Sequence, residues 1–217
     1  MYKICLVEDE KNLNELITMY LKKEGYEVVS CLSGKDAINI QDKIDLWILD
    51  IMLGDDINGY DIIKKIREKT SVVPVIFTSA RDRELDKIIG FELDADDYMT
   101  KPYSPKELML RVNKLIKRVY NNDFTKLEYE SYVIDTKMRV VLEKNNEIPL
   151  TTLEFDLLML LITNKNITFS REDIIAKVWN EEYYGSDRVV DDLVRRLRHK
   201  MPKLNINTIY GFGYRLV

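Results

Sequence analysis

The first 119 residues alternate short apolar runs with amphipathic stretches. The apolar runs predict five β-strands, namely Ile4–Val7, Glu27–Cys31, Leu46–Leu49, Val75–Phe77 and Asp97–Met99. Helical spacing predicts five α-helices, at Leu13–Lys23, Lys35–Gln41, Asp61–Glu68, Glu84–Leu93 and Pro105–Val119. Because strands and helices alternate, we predict an α/β unit in which helices cover both faces of a five-stranded parallel sheet.

The pattern changes after residue 119. Residues 120–123 are short and polar, and alternating segments up to residue 150 predict antiparallel strands. Three helices are predicted next, at Thr152–Asn164, Arg171–Trp179 and Arg188–Met201, and a hairpin follows over Ile206–Leu216. This order is typical of an α+β domain. We therefore predict domains at 1–119 and 124–217, joined by a linker at 120–123.

Composition restricts the class of protein. Apolar residues make up 46% and charged residues 32% of the 217 positions, which favours packed cores over disorder. Cys5 and Cys31 are too few for a disulfide framework or a cysteine zinc site, so we expect buried, reduced thiols. The chain has neither a signal-peptide pattern nor a long apolar window, which predicts a cytoplasmic protein outside the membrane.

Charged side chains gather at the predicted carboxyl ends of the strands. Glu8 and Asp9 follow the first strand, Asp50 ends the third, and Lys101 follows the fifth. In a parallel sheet these ends share one edge, where crowded carboxylates need a cation such as Mg²⁺. Mg²⁺ and an ammonium group beside Asp50 would support attack by its carboxylate on a phosphoryl donor, and Ser79 offers a hydroxyl nearby. One Asp after a strand is more often a cap, but five ordered positions favour chemistry.

Four motifs in order identify a family. They are Val7-Glu8-Asp9-Glu10, Leu49-Asp50-Ile51-Met52-Leu53, Thr78-Ser79-Ala80-Arg81 and Asp96-Asp97-Tyr98-Met99-Thr100-Lys101-Pro102. Residues 3–119 thereby resemble the receiver domain of bacterial two-component response regulators. The resemblance implies a flavodoxin-like fold in which Asp50 accepts a phosphoryl group from a sensor histidine kinase.

The resemblance also implies a role for each neighbour of Asp50. Mg²⁺ would be held by Asp9, Asp50 and the Met52 backbone carbonyl, with Glu8 supporting it through water. Lys101 would pair with the phosphoryl group, and its bond to Pro102 is usually cis in this family. Ser79 and Tyr98 would be the switch pair, with the hydroxyl moving toward phosphate and the ring turning inward.

A basic helix is predicted in the second half, although the net charge of the chain is −4. Residues 188–203 carry six basic and two acidic side chains, and the apolar positions at helical spacing leave the arginines facing outward. In isolation such a helix is more often a solvated face. The helix before it and the Gly-x-Gly-Tyr-Arg hairpin after it favour a DNA-binding helix-turn-helix.

Residues 124–217 resemble the winged-helix output domain of the OmpR/PhoB class. The motifs are Leu150-Thr151-Thr152-Leu153-Glu154-Phe155, Ser170-Arg171, Val178-Trp179, Arg188-Val189-Val190-Asp191, Arg195-Arg196-Leu197-Arg198 and Gly211-Phe212-Gly213-Tyr214-Arg215. The resemblance implies binding of double-stranded DNA, with contacts from Arg188, Arg195, Arg196, Arg198 and Arg215. Leu193 would either contact a thymine methyl group or pack in the core.

A homodimer is the third consequence of the resemblance. In this class the fourth helix, fifth strand and fifth helix of the receiver form a two-fold interface. Pairing across it is expected for Lys87 with Glu107, Asp97 with Arg111 and Asp96 with Arg118. The alternative is an ordinary charged surface. We hypothesise that phosphorylation favours this dimer, which then binds two half-sites on DNA.

Two other function classes stay open. A Mg²⁺-dependent aspartyl phosphohydrolase usually has a second acid two residues after its nucleophile, a position held here by Met52. A regulator that dimerises and binds DNA without phosphorylation is the stronger alternative. The loop after Asp50 departs from the family pattern, since Gly54 replaces the common Pro and the segment to Gly59 is one residue longer.

Overall fold

A computed structural model describes residues 1–54, 56–70, 72–80, 95–120, 126–179 and 186–217. The chain forms two compact units, Met1–Asn121 and Asn122–Val217. The predicted helix at 84–93, with Lys87, and linker residues 121–123 lie outside the described residues.

The first unit confirms the predicted α/β architecture. Its strands are β1 (Lys3–Val7), β2 (Glu27–Cys31), β3 (Leu46–Asp50), β4 (Val75–Ser79) and β5 (Asp97–Thr100). Its described helices are α1 (Lys11–Lys23), α2 (Gly34–Ile38), α3 (Gly59–Lys69) and α4 (Pro105–Tyr120). All neighbouring strands are parallel, in the order β2-β1-β3-β4-β5. The strand order reverses between β1 and β3, the place where sheets of this kind bind ligands.

Helix starts in this unit follow from capping side chains. The Asn58 side chain accepts from the backbone N–H of Asp61, and the Asp61 carboxylate accepts from the N–H of Asn58. This reciprocal cap starts α3 two residues before the predicted Asp61. The Ser33 hydroxyl caps α2 by accepting from the N–H of Asp36, although α2 ends at Ile38, before the predicted Gln41.

The core of the first unit lies on the two faces of the sheet. β3 and β4 are buried at every residue, which is why their sequences are continuous apolar runs rather than alternating ones. On one face, Ile17 and Leu21 of α1 pack with Leu108 and Val112 of α4. Burial of this kind fixes the strands and therefore the positions of the side chains at their carboxyl ends.

The second unit confirms the α+β order. A four-stranded antiparallel sheet contains β6 (Lys126–Tyr129), β7 (Tyr132–Asp135), β8 (Val140–Glu143) and β9 (Asn146–Ile148). The helices are α5 (Thr152–Thr163), α6 (Arg171–Val178) and α7 (Arg188–Lys200). β11 (Ile206–Ile209) and β12 (Gly213–Leu216) form the predicted C-terminal hairpin, whose turn contains Gly211 at a φ of +71°. No described helix combines the length and apolarity needed to cross a bilayer.

One strand of this unit escaped prediction. β10 (Thr168–Ser170) pairs antiparallel with β12 and makes the hairpin a three-stranded sheet. Three residues are too few to show an alternating pattern. At Gly213 of β12, a Cβ atom would lie 2.0 Å from the carbonyl oxygen of Phe169, so this pairing leaves room only for glycine.

Candidate functional site

The predicted acidic cluster exists at the carboxyl ends of β1 and β3. Carboxylate oxygens of Glu8, Asp9 and Asp50 all lie within 4.8 Å of one another. Glu8 and Asp50 are almost fully buried, whereas Asp9 is exposed. Three ionised carboxylates at such distances repel one another strongly unless cations lie between them.

Lys101 supplies one of those cations. Its Nζ lies 2.6 Å from Oε2 of Glu8 and 2.6 Å from Oδ2 of Asp50. Burial lowers the pKa of Lys101, but the hydrogen bonds to Asp50 and Glu8 outweigh it, so the net pKa is raised and the ammonium persists. Burial raises the pKa of Glu8 to about 6, despite the hydrogen bond from Lys101. The Lys101–Pro102 peptide bond is cis, as the resemblance implied.

The backbone fixes the carboxylate of Asp50. Its Oδ1 accepts a hydrogen bond of 2.9 Å from the N–H of Met52, which leaves Oδ2 directed at Lys101. Behind it, Gly59 at the start of α3 touches the strand end, and a Cβ atom there would lie 2.5 Å from the Asp50 carbonyl oxygen. The phosphoryl acceptor expected from the sequence is therefore held by backbone on two sides.

Two further supports were missed from the sequence. The buried amide of Asn14 donates to the carbonyls of Glu8 and Cys31, at 2.9 and 3.0 Å, and so joins the loop after β1 to the end of β2. The N–H of Gly54 donates to Oδ2 of Asp9 at 3.0 Å, a bond that proline at this position cannot make. The sequence did contain an indication of the role of Asn14, because a polar residue on the buried face of α1, beside Ile17, needs a buried hydrogen-bond partner.

The predicted switch residues lie on β4 and β5. Ser79 is fully buried at the last position of β4, and its backbone pairs with Thr100. Tyr98 is 9% exposed, so its ring lies inward. Ser79 therefore lies at the carboxyl end of β4, and Tyr98 lies within β5, two residues before its last residue.

Two of the three pairs predicted across a dimer, Asp97 with Arg111 and Asp96 with Arg118, form within one chain in this structure. Arg111 lies 3.1 Å from Asp97 and 2.9 Å from Glu107, and Arg118 lies 3.1 Å from Asp96. Asp96 is buried and also accepts from the N–H of Val75. Burial raises the pKa of Asp97, although Arg111 opposes it.

Two of the predicted DNA-contacting arginines face outward from α7. Arg188 and Arg195 are exposed, and Arg195 lies 3.0 Å from Asp192. The opposite face of the helix is buried, at Val189, Val190, Leu193, Val194 and Leu197. Leu193 is 0% exposed and packs in the core, which decides between its two proposed roles.

The other predicted arginines differ from the expected outward orientation. Nε of Arg196 lies 3.7 Å from the buried carboxylate of Glu154, which also accepts from Lys200 at 2.6 Å. Arg198 donates through one nitrogen to the carbonyl of Ile206 at 2.6 Å and to the hydroxyl of Thr208 at 3.0 Å. Helical periodicity alone could not show this, because the partners come from other elements.

The last of them, Arg215, lies on β12 and is half-buried. Its Nε is enclosed and makes no hydrogen bond within the described part of the chain. The side chain therefore presents at most its terminal nitrogens to a ligand.

Comparisons with known proteins match both units of the chain. The family described as response regulator receiver domain matches residues 4–113, and the family described as transcriptional regulatory protein, C terminal, matches residues 145–216. The transcriptional regulatory protein CssR of Bacillus subtilis is 51% identical over 222 residues, covering 100% of this chain and 98% of CssR. The response regulator SaeR of Staphylococcus aureus is 34% identical, covering 99% and 98%.

A solved structure is similar over the same extent. The response regulator DrrB of Thermotoga maritima, described as an OmpR/PhoB homologue, is 31% identical with a TM-score of 0.55, covering 100% of this chain and 99% of DrrB. The chain therefore belongs to the response regulators of the OmpR/PhoB type, in which a receiver domain is followed by a DNA-binding domain.

Proposed function

We propose that Asp50 is the phosphoryl acceptor through which a sensor histidine kinase controls DNA binding by this chain. The observation that carries the proposal is the ammonium of Lys101, 2.6 Å from Asp50 within a buried acidic cluster. The proposal places the receiver at 1–119, the linker at 120–123 and the DNA-binding domain at 124–217. The division of the chain into two compact units near residue 121 supports these bounds.

In the proposed reaction an oxygen of the Asp50 carboxylate attacks the phosphorus of a phosphohistidine. The bond between phosphorus and the imidazole nitrogen breaks, and an acyl phosphate forms on Asp50. The hydrogen bond from the N–H of Met52 holds one oxygen, so the other is the nucleophile. Lys101, already beside that oxygen, then pairs with the new phosphoryl oxygens, and the Ser79 hydroxyl is the second donor.

The acidic cluster has the donor chemistry of a magnesium site. Mg²⁺ prefers carboxylate, carbonyl and water oxygens, and three carboxylates within 4.8 Å match that preference. Asp9, Asp50 and the Met52 carbonyl would hold the ion, with Glu8 contributing through water. When bound, Mg²⁺ would neutralise charge on the phosphoryl oxygens. The exposed position of Asp9 leaves this side of the cluster open to solvent and donor.

The proposed DNA contacts come from α7 and the C-terminal hairpin. Arg188 and Arg195 are exposed on α7, where they can reach phosphates or guanine edges. Acidic side chains in residues 121–217 are about as numerous as basic ones, so non-specific affinity for DNA should be weak and strongly dependent on salt. Dimerisation then supplies useful affinity by joining two half-sites.

A transcription regulator is favoured over an enzyme. The relatives are transcriptional and response regulators, and Met52 occupies the position where an aspartyl phosphohydrolase would carry its second acid. We therefore propose that the chain turns over no external substrate. Since it acts on promoter DNA, we place it in the cytoplasm.

Phosphorylation is expected to convert the chain from monomer to dimer. Sedimentation velocity with Mg²⁺ and beryllofluoride, a phosphoryl mimic, should show a dimer that is absent without the mimic. The proposed interface includes α4 (Pro105–Tyr120), which is the fifth of the helices predicted from the sequence. Leu110 on this helix is 70% exposed, so Leu110→Glu should stay monomeric. Met138→Glu is the matched control, because Met138 is similarly exposed but lies in the second unit. A wild-type protein that stays monomeric under both conditions would contradict the dimer.

A further inference from the structure

Four side chains join α6, α7 and the C-terminal hairpin within the second unit. Oδ1 of Asp191, on α7, accepts from Nε of Arg171 at 2.8 Å and from the hydroxyl of Tyr214 at 2.6 Å. Arg171 begins α6, and Tyr214 lies on β12. One carboxylate on the basic helix thus binds one group from each of its two neighbouring elements. We name Arg171, Asp191, Arg198 and Tyr214 the wing strut.

Arg198 completes the connection from the other side of the hairpin. Both of its hydrogen-bond acceptors, on Ile206 and Thr208, lie on β11, and Thr208 pairs with Tyr214 across the hairpin. The guanidinium carbon of Arg198 is 5.6 Å from the centre of the Tyr214 ring, and that of Arg171 is 5.4 Å from it. The ring therefore has a cation within the range of a cation–π contact from α6 and another from α7.

Backbone contacts place the tip of the hairpin as well. The N–H of Arg171 donates to the carbonyl of Phe212 at 3.3 Å, and β10 pairs with β12 just before α6 begins. Beyond these contacts the tip is open, since Tyr210 is 94% exposed and Phe212 is 48% exposed. The backbone of the hairpin is thus held as far as Phe212, whereas the side chains of Tyr210 and Phe212 are open to solvent.

The wing strut also explains why Asp191, an acidic residue, lies on α7, the helix proposed to bind DNA. A free carboxylate near phosphates would repel them, but Asp191 is engaged by Arg171 and by a tyrosine hydroxyl. Burial, followed by the hydrogen bond to Asp191, raises the pKa of Tyr214 to about 12, so the hydroxyl remains a donor at neutral pH.

We propose that the wing strut positions the C-terminal hairpin against α7, and that Arg198 affects DNA binding through the hairpin rather than by touching DNA. The inference rests on the proposed function, because it concerns how the second unit binds DNA. Tyr214 gives the cleanest test: it is 5% exposed, with its hydroxyl turned to Asp191, so it cannot itself contact DNA.

The test uses the full chain with beryllofluoride and a duplex selected by the wild-type protein from genomic fragments. Fluorescence anisotropy measures affinity, and hydroxyl-radical footprinting maps contacts. Tyr214→Phe should bind about tenfold more weakly, because it loses a hydrogen bond to a charged group that holds the hairpin. Its footprint should lose protection on the hairpin side and keep protection at the major groove. Tyr132→Phe is the matched control and should keep the full footprint, because the buried Tyr132 hydroxyl accepts from the backbone N–H of Lys203, which lies outside the hairpin.

Arg198→Lys separates positioning from direct contact. Lysine keeps the charge that a phosphate contact needs, but its side chain is one bond shorter, so its ammonium does not reach the position from which the terminal nitrogen of Arg198 donates to Ile206 and Thr208. The strut therefore predicts that Arg198→Lys loses hairpin-side protection as Tyr214→Phe does. It also predicts that the variant with both substitutions binds DNA no more weakly than whichever single variant binds more weakly. Arg195→Lys, on the exposed side of α7, should keep hairpin-side protection.

Each failure has a distinct meaning. All variants are compared at a temperature where circular dichroism shows them folded, so that a loss of stability does not pass for a loss of positioning. If Tyr214→Phe binds like wild type with the full footprint, the strut is wrong. If Arg198→Lys binds like wild type while Tyr214→Phe does not, the positioning role proposed for Arg198 is wrong. If the wild-type protein selects no duplex at all, the proposed function fails and the strut fails with it.

Discussion

Replacing Asp50 with Asn should abolish phosphoryl incorporation from radiolabelled acetyl phosphate. The amide keeps the shape of the side chain and an oxygen for the N–H of Met52, but it is not a nucleophile. The other two carboxylates of the described cluster, Glu8 and Asp9, are expected to support Mg²⁺ rather than to accept the phosphoryl group. Autoradiography after gel electrophoresis should show a labelled wild-type band and an unlabelled variant band.

Asp56→Asn is the matched control for this experiment. Asp56 lies in the loop just after the acceptor strand, and its side chain is 97% exposed, at 3.8 Å from Lys35. Its substitution removes the same charge from the same region without touching the cluster, so labelling should be unchanged. Labelling of the Asp50→Asn variant at the wild-type level would show that the acceptor lies elsewhere.

Replacing Glu154 with Ala should have the largest effect on stability. The carboxylate is fully buried, receives Lys200 at 2.6 Å, and completes a reciprocal cap with Thr151 at the start of α5. Removing it leaves the ammonium of Lys200 without its partner and the backbone N–H of Thr151 without its acceptor. We expect the free energy of unfolding to fall by about 2–4 kcal/mol, near the low end for a broken buried pair because Lys200 can turn toward water.

Trp179 allows the effect to be measured in the right half of the chain. The two tryptophans lie in different units, so a Trp47→Phe background makes Trp179 fluorescence report unfolding of the second unit during a urea titration. The matched control is Glu172→Ala, because Glu172 is an exposed glutamate in the first turn of α6. The control should change the free energy of unfolding by no more than about 0.5 kcal/mol. A loss below about 1 kcal/mol in Glu154→Ala would show that the buried pair is not important for stability.

The acidic cluster was predictable because its positions depend on short-range patterns. Continuous apolar runs located the strand ends, and in a parallel sheet those ends meet at one edge. The sequence alone could therefore place Asp50 and Lys101 together, although they lie far apart in the chain. What the pattern could not provide was the backbone around them, such as the N–H of Gly54 on Asp9 or the tight approach of Gly59.

The DNA-binding half was less predictable from the same kind of pattern. Helical spacing correctly assigned the buried face of α7, but it treated all arginines on the other faces as outward. A long side chain between the buried and the exposed face of a helix turns toward its hydrogen-bond or ion-pair partner, and the position of that partner depends on tertiary structure. Arg198 turns to β11, and Arg196 faces Glu154, a residue on α5 that lies far earlier in the chain.

Phosphorylation-controlled DNA binding is the central claim, and one equilibrium measurement tests it most directly. The affinity of the full chain for its selected duplex is measured at fixed salt and Mg²⁺, with and without beryllofluoride, for wild type and Asp50→Asn. We predict that beryllofluoride tightens wild-type binding by about tenfold or more, as a two-state coupling allows, and leaves Asp50→Asn unchanged. Equal affinities with and without beryllofluoride, in a wild-type protein that binds the duplex well, would instead identify a regulator that works without phosphorylation.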